Sequence, residues 1–192
     1  MNRSVRLFGA LTLSGVLAAT TALAGAAQAH PSGTSRRSPH SASYRAWLEK
    51  QVRHELIMLP YYSVFDYLAF RIDGDSVTLL GQVVRPSIRS DAEARVKKIE
   101  GVATVVNRIE VLPLSTFDDD LRAAAYRAIY GDPMLSRYTL APVPAIHIVV
   151  KNGHIILEGV VASQAERNVA NIRASGVSGA FSVTNHLRVE KS

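Results

Sequence analysis

Three side chains in the second half of the chain have the chemistry to share a metal ion. His147, Glu158 and His186 all take the outward parity of the strands that surround them, and two imidazoles with one carboxylate form a set that suits a divalent cation. Spacing alone leaves strand order and register open, and separate surface placement is the commoner fate of such residues, so no metal is expected. A second set is helical: Arg122, Tyr126 and Tyr130 stand at i, i+4 and i+8, beside the apolar stripe of Leu121, Ala125 and Ile129. Tyrosine suits a bilayer interface and arginine suits lipid phosphate. With Arg137 and Tyr138 in the loop that follows, these residues form a candidate lipid contact. The competing reading packs the same tyrosines against the other half of the protein, and the aspartates at 118–120 would repel phosphate nearby. A third cluster, Tyr61-Tyr62-x-x-Phe65-x-Tyr67, is open to both readings.

Other chemistry is thinly represented. The chain has no cysteine, which excludes disulfides, thiolate metal sites and thiol nucleophiles. No serine–histidine–acid arrangement, phosphate-cradling glycine loop or cofactor fingerprint stands out. The Asp118–Asp120 run suits the positive end of a helix better than a cation site. Arg89, Arg95, Arg167 and Arg173 lie on helix surfaces, where pairing with neighbours such as Asp91 and Glu93 competes with phosphate binding. No catalytic residue and no cofactor are expected.

The elements that must position these residues occur twice. At an offset of 78 residues, Leu79, Gly81, Val83, Arg89, Ala92, Arg95, Gly101, Val105, Asn107 and Val111 recur as Leu157, Gly159, Val161, Arg167, Ala170, Arg173, Gly179, Val183, Asn185 and Val189, ten identities in 33 positions without a gap. Each copy reads helix, strand, strand, helix, strand. In the first, a helix over 44–59 carries Trp47, Leu48, Val52, Leu56 and Leu59 on one face and ends at Pro60. Strands follow at 67–73 and 77–83 around an Asp-Gly-Asp-Ser turn, then a helix over 86–99 with Ile88, Ala92, Val96 and Ile99 buried, and a strand over 102–111. The second copy opens with a helix capped by Thr116-x-x-Asp119. A loop over 131–144 is five residues longer than its counterpart, Asn152-Gly153 marks a hairpin, and Ser163-x-x-Glu166 caps the last helix before a strand over 181–189. The fold class is α+β: two tandem repeats, each a three-stranded mixed sheet covered by two helices. The second and third strands must be parallel, because a helix returns the chain between them. Repeats of this size have marginal cores, so the two are expected to pack together.

The repeated glycines and asparagines are read as structural. Gly81 and Gly159 sit at inward strand positions where a side chain would collide with a helix or force a bulge. Gly101 and Gly179 suit helix ends. Asn107 and Asn185 share parity with apolar neighbours, so their amides are expected to satisfy backbone groups at a bulge or helix end.

Residues 1–29 read as a cleavable export signal, with Arg3 and Arg6, an apolar run from Leu7 to Leu23, and Ala27-Gln28-Ala29 as the cleavage pattern. Residues 30–43 read as a disordered leader, 44–112 as the first domain and 116–190 as the second, with no membrane span in the mature chain. The formal net charge of +6 is spread thinly: residues 44–112 hold 10 basic and 9 acidic groups and 113–192 hold 8 and 7. No concentrated basic face for nucleic acid results.

The pattern turn–V-x-L-x-G-x-V, helix, G-V-x-x-V-x-N-x-(I/L)-x-V resembles the BON domain. It is carried by Val77, Leu79, Gly81, Val83, Gly101, Val102, Val105, Asn107, Ile109 and Val111, and again by Ile155, Leu157, Gly159, Val161, Gly179, Val183, Asn185, Leu187 and Val189. Copy two departs from it at Ala180. A signal peptide with tandem BON domains is similar to the osmotically inducible periplasmic proteins. The resemblance implies a non-enzymatic, periplasmic protein that binds anionic phospholipid or another envelope component under envelope or osmotic stress. The alternative is a structural protein that docks an envelope protein without lipid.

Overall fold

The computed structural model describes residues 42–141 and 143–190. The export signal and nearly all of the leader lie outside the described residues. Ala42 and Ser43, assigned to the leader from composition, instead form the first turn of helix α1 (Ala42–Ile57). This helix buries Tyr44, Leu48, Val52 and Leu56, one residue per turn on one face. Strands β1 (Tyr67–Asp73) and β2 (Ser76–Val83) pair antiparallel. Helix α2 (Pro86–Val96) buries Ile88, Ala92 and Val96 and stops three residues before Ile99. The last strand is split into β3 (Thr104–Asn107) and β4 (Glu110–Val111), both parallel to β2.

The second repeat follows the same plan. Helix α3 (Thr116–Tyr130) is capped by Ser115, one residue earlier than the sequence pattern suggests. Ser115 is extended and its hydroxyl accepts from the Asp118 amide at 3.2 Å, while the Asp118 carboxylate is turned inward. The long loop contains one 3-10 turn, Ser136–Leu140. Strands β5 (Ile146–Lys151) and β6 (His154–Val161) flank Asn152 (φ 52) and Gly153 (φ 79), two positive-φ residues in succession as a tight hairpin requires. Helix α4 (Gln164–Ser175) begins with a complete capping box between Ser163 and Glu166. Strands β7 (Ser182–Asn185) and β8 (Arg188–Val189) run parallel to β6.

Glycine is required in β2 and β6 by the neighbouring strand rather than by a helix. Gly81 has φ +119, and a Cβ there would lie 1.9 Å from the Tyr67 carbonyl oxygen. Gly159 repeats the arrangement with φ +122 and the Ala145 carbonyl at 2.0 Å. Asn107 then ties the split third strand to α2: its Nδ2 donates to the Arg89 carbonyl at 2.9 Å, and its Oδ1 accepts from the Ile109 amide at 3.1 Å. Asn185 makes the same pair, to the Arg167 carbonyl at 3.0 Å and from the Leu187 amide at 3.0 Å.

Alternation along the strands gives each sheet two usable faces. The inward faces carry Leu68, Phe70, Ile72, Val77 and Leu79 in one repeat and Ile146, Ile148, Val150, Ile155 and Leu157 in the other, each under its own helices. The outward faces meet. Tyr67, Ala69 and Leu112 of the first repeat and Val149 of the second form a third buried cluster, flanked by Leu80, Val84 and Ile156. The molecule is therefore a stack of helices, sheet, sheet, helices. The connection between α1 and β1 strengthens the join: Val64 is buried in the core of the second repeat, and its carbonyl accepts from the Ile148 amide of β5 at 2.8 Å.

Gly81→Ala should cost about 3 kcal/mol or more, since a strained φ and a backbone collision act together. Gly176→Ala is the control: Gly176 has φ −80 and its nearest contacts to an added Cβ are at 3.6 Å. That substitution should leave stability unchanged or raise it by up to ~1 kcal/mol. Urea unfolding of the two variants checks both.

Candidate functional site

The histidine and carboxylate set comes partly together. His147 faces Glu158 across the β5–β6 ladder, and His186 Nδ1 lies 2.7 Å from Glu158 Oε1. His147 itself is buried in the join, its ring 5.7 Å from that of Tyr62 and 5.8 Å from that of Tyr67. No group of three metal-capable side chains forms among the described residues. Burial brings the His147 pKa down to about 4, against the weaker pull of the Asp66 and Ser63 backbone.

The helical stripe is used for internal fastening. Arg122 is buried and donates to the Val150 carbonyl at 2.7 Å and to Asp119. Tyr130 is buried and its hydroxyl donates to the Ile146 carbonyl. The pair thus pins α3 to both ends of β5. Tyr126 lies between them, half exposed, its ring 4.9 Å from that of Tyr130 and 6.2 Å from Phe65 of the first repeat. Arg137 and Tyr138 are directed elsewhere, onto the start of α4: Arg137 pairs with the buried Glu166, and the Tyr138 hydroxyl donates to Glu166 at 3.0 Å. The five residues therefore present no common face to a bilayer. The reason is energetic: the two ends of β5 and the first turn of α4 offer buried carbonyl and carboxylate oxygens whose satisfaction is worth more than solvent exposure of a long side chain.

The aspartate run divides in the same way. Asp118 is fully buried and accepts from the Asn152 and Gly153 amides at 2.9 and 2.8 Å, holding the hairpin tip to α3.

Two surface features lay beyond what spacing could signal. The first is at the end of α1, where Ile57, Met58 and Tyr61 are exposed and the Arg85 guanidinium stands 4.9 Å from the centre of the Tyr61 ring. The Tyr61–Tyr67 aromatic cluster marked this region, but the partnership with Arg85, 24 residues on, is a product of the fold. The second is a cleft of about 290 Å³ where the two sheets part, lined by Tyr67, Ala69, Leu80, Gly81, Glu158, His186 and Arg188. The Tyr67 hydroxyl there is buried without a hydrogen-bond partner, a condition that ordinarily costs about 1–3 kcal/mol. Burial, and then the Glu158 charge, push its pKa well above the usual phenol value.

Fold and surface together define a class: a tandem α+β repeat protein whose two sheets are joined through their outward faces. No helix among the described residues is long and apolar enough to cross a membrane. The family model of the BON domain matches residues 45–113 and again 118–191. The chain belongs to the BON domain family. No curated protein sequence matches it. Among solved structures, the chain is similar to the C-terminal domain of CdsD, the structural protein of the type III secretion system of Chlamydia trachomatis, at 12% identity and a TM-score of 0.27, covering 75% of this chain and 98% of that one. A second structure of CdsD gives 14% identity and a TM-score of 0.27 over 76% of this chain and 93% of that one.

The buried His147 predicts acid sensitivity. The unfolded chain takes up a proton on this ring near pH 6.5 and the folded chain only near 4. The contribution of the neutral ring is thus complete above pH 6.5 and lost as pH falls from 6.5 to 4, by up to roughly 3 kcal/mol. His147→Phe should flatten that part of the profile, as measured by urea unfolding at a series of pH values.

Proposed function

We propose that the chain is a non-enzymatic protein of the periplasm that binds anionic phospholipid and supports the envelope under osmotic stress, with its lipid contact at the end of α1 rather than on α3. The observation that carries the reading is Tyr61. It is a non-glycine residue with φ +64, and that conformation costs an L-residue about 1–2 kcal/mol. Tyr61 is 68% exposed, so the strain is not offset by burial of the residue. Backbone strain retained at an exposed aromatic is a pointer to use.

Its neighbours suit the headgroup region. Met58 is 58% exposed and Ile57 lies beside it, supplying apolar side chains short enough to enter a bilayer surface. Arg85 is placed to meet phosphate while its plane lies on the Tyr61 ring. The two acidic groups nearest Tyr61 in sequence are both engaged: Asp66 is buried and accepts from the Ser63 and Val84 amides, and Glu55 pairs with Arg95 at 3.3 Å, which limits local repulsion of an anionic headgroup. Export through the segment at 1–29 would deliver the chain to such a surface.

A second reading, docking of an envelope protein without lipid, has its own support at the opposite end of the second repeat. Phe117 and Phe181 are exposed with ring centres 5.8 Å apart, but the exposed Asp119 and Asp120 stand close by on α3 and disfavour an anionic membrane.

Vesicle flotation of the exported chain tests the two. The chain should rise with phosphatidylglycerol-containing vesicles and much less with phosphatidylcholine alone. The combined substitution Met58→Ser, Tyr61→Ser and Arg85→Glu should lower the bound fraction about tenfold. If the unaltered chain stays at the bottom of the gradient, phospholipid binding is excluded and the docking reading replaces it.

A further inference from the structure

The exposed aromatic pair at the hairpin end of the second repeat has a closed counterpart in the first. Leu121, Ala125 and Ile129 of α3 match Leu48, Val52 and Leu56 of α1 at an offset of 73. Phe117 therefore stands where Tyr44 stands, and Asp120 where Trp47 stands. Both leading rings lie over the glycine that follows the second helix of their repeat. The Tyr44 hydroxyl donates to the Gly101 carbonyl at 2.7 Å, and a Cβ on Gly179 would be 3.7 Å from the Phe117 ring. In the first repeat the Trp47 ring lies 5.8 Å from that of Tyr44, which is 5% exposed. In the second, Phe117 is 45% exposed. Phe181, where the first repeat has Ala103, adds a ring 5.8 Å away but is itself 70% exposed.

The support beneath the pair is fixed. Asp118 holds the Asn152 and Gly153 amides, and a Cβ on Gly153 would lie 2.6 Å from the Phe181 ring and 3.2 Å from that of Phe117. Both rings are thus seated on the hairpin tip with their outer faces in water, as a contact surface requires. Charge narrows the choice of partner. Asp118 is used by the hairpin, and Asp119 pairs with Arg122. Asp120 is exposed and has no hydrogen-bond or ion-pair partner among the described residues. It follows Phe117 by three residues, so the two are neighbours on one face of α3, about 5–6 Å apart at Cβ. On the far side of Phe181, His154 is engaged by Ser182 at 2.7 Å.

We propose that this surface docks a basic aromatic segment of another polypeptide. Its aromatic ring rests on Phe117 and Phe181, in the place that Trp47 fills in the first repeat, and its cation lies beside Asp120. The segment is one form of the docking partner considered above, so it rests on that reading; the lipid contact at Tyr61 plays no part.

Calorimetric titration of the exported chain with three amidated pentapeptides provides the test, with amide chemical shifts locating the site. The peptides carry tryptophan between two lysine pairs, tryptophan between two glutamate pairs, and alanine between two lysine pairs. The lysine–tryptophan peptide should bind with a Kd on the order of 1 mM and shift the Gly153 and Gly179 amides, and the other two should bind about tenfold or more weakly. Phe181→Ser should weaken binding about tenfold, and Asp120→Asn about threefold. Asp120→Trp should abolish it, by closing the site as Trp47 closes that of the first repeat. If neither tryptophan peptide shifts Gly153 or Gly179 at roughly 10 mM, the site and the docking reading of this surface fall together. If the glutamate–tryptophan peptide binds as tightly, or Asp120→Asn changes nothing, docking stands and the basic partner is overturned. Equal binding by the alanine peptide, or by Phe181→Ser, overturns the aromatic anchor.

Discussion

The contact between the outward faces of the two sheets is the constraint on which the rest of the protein depends. A repeat of about 70 residues buries too little of its surface to be robust alone, and here each sheet would expose an apolar strip on the side away from its helices. Tyr67, Ala69 and Leu112 against Val149 remove that strip from water, each buried aliphatic or aromatic side chain contributing about 1.5–3 kcal/mol. The Val64 crossover adds a backbone hydrogen bond to the edge of β5, so the first repeat completes the second.

That join also explains where the unusual side chains went. His147 is held neutral because the partner sheet has taken the water from around it, and Tyr67 has an orphaned hydroxyl for the same reason. Lys151 and Glu110 form an ion pair at 2.5 Å between the repeats. Both are partly exposed, so this rim pair contributes modestly compared with the apolar centre. The centre confers stability, while the polar periphery carries the ion pairs Lys151–Glu110 and His186–Glu158.

Much of the fold was legible in the sequence because its signals are local. Alternation along β1, β2, β5 and β6 assigned inward and outward residues, one-per-turn apolar spacing marked the first three helices, Ser163-x-x-Glu166 marked the start of the fourth, and Asn152-Gly153 announced its hairpin. The errors were at ends. Ser115 rather than Thr116 caps α3, because a cap is decided by which hydroxyl reaches an amide. The helix α2 stops at Val96 although Ile99 keeps the apolar spacing, since a half-buried residue in a turn can prolong the pattern. The position of Gly81 was readable, but the atom that requires it was not: the collision is with the carbonyl of Tyr67 on the adjacent strand. Of the candidate sites, the α3 stripe had the right residue types, yet the choice between bilayer and interior rested on the carbonyls of Ile146 and Val150, which periodicity does not reveal.

By itself the sequence determined two copies of one α+β unit, the order of their elements and the parity of each strand residue. These follow from covalent geometry and from interactions a few residues apart. The tertiary structure alone decided that the outward faces are stacked, that Arg122 and Tyr130 are buried, and that Tyr61 meets Arg85 and Tyr67 shares a cleft with Glu158 and Arg188. Those outcomes depend on which surfaces exclude water together, and the exclusion is a property of the assembled faces that no single strand or helix carries in its own spacing.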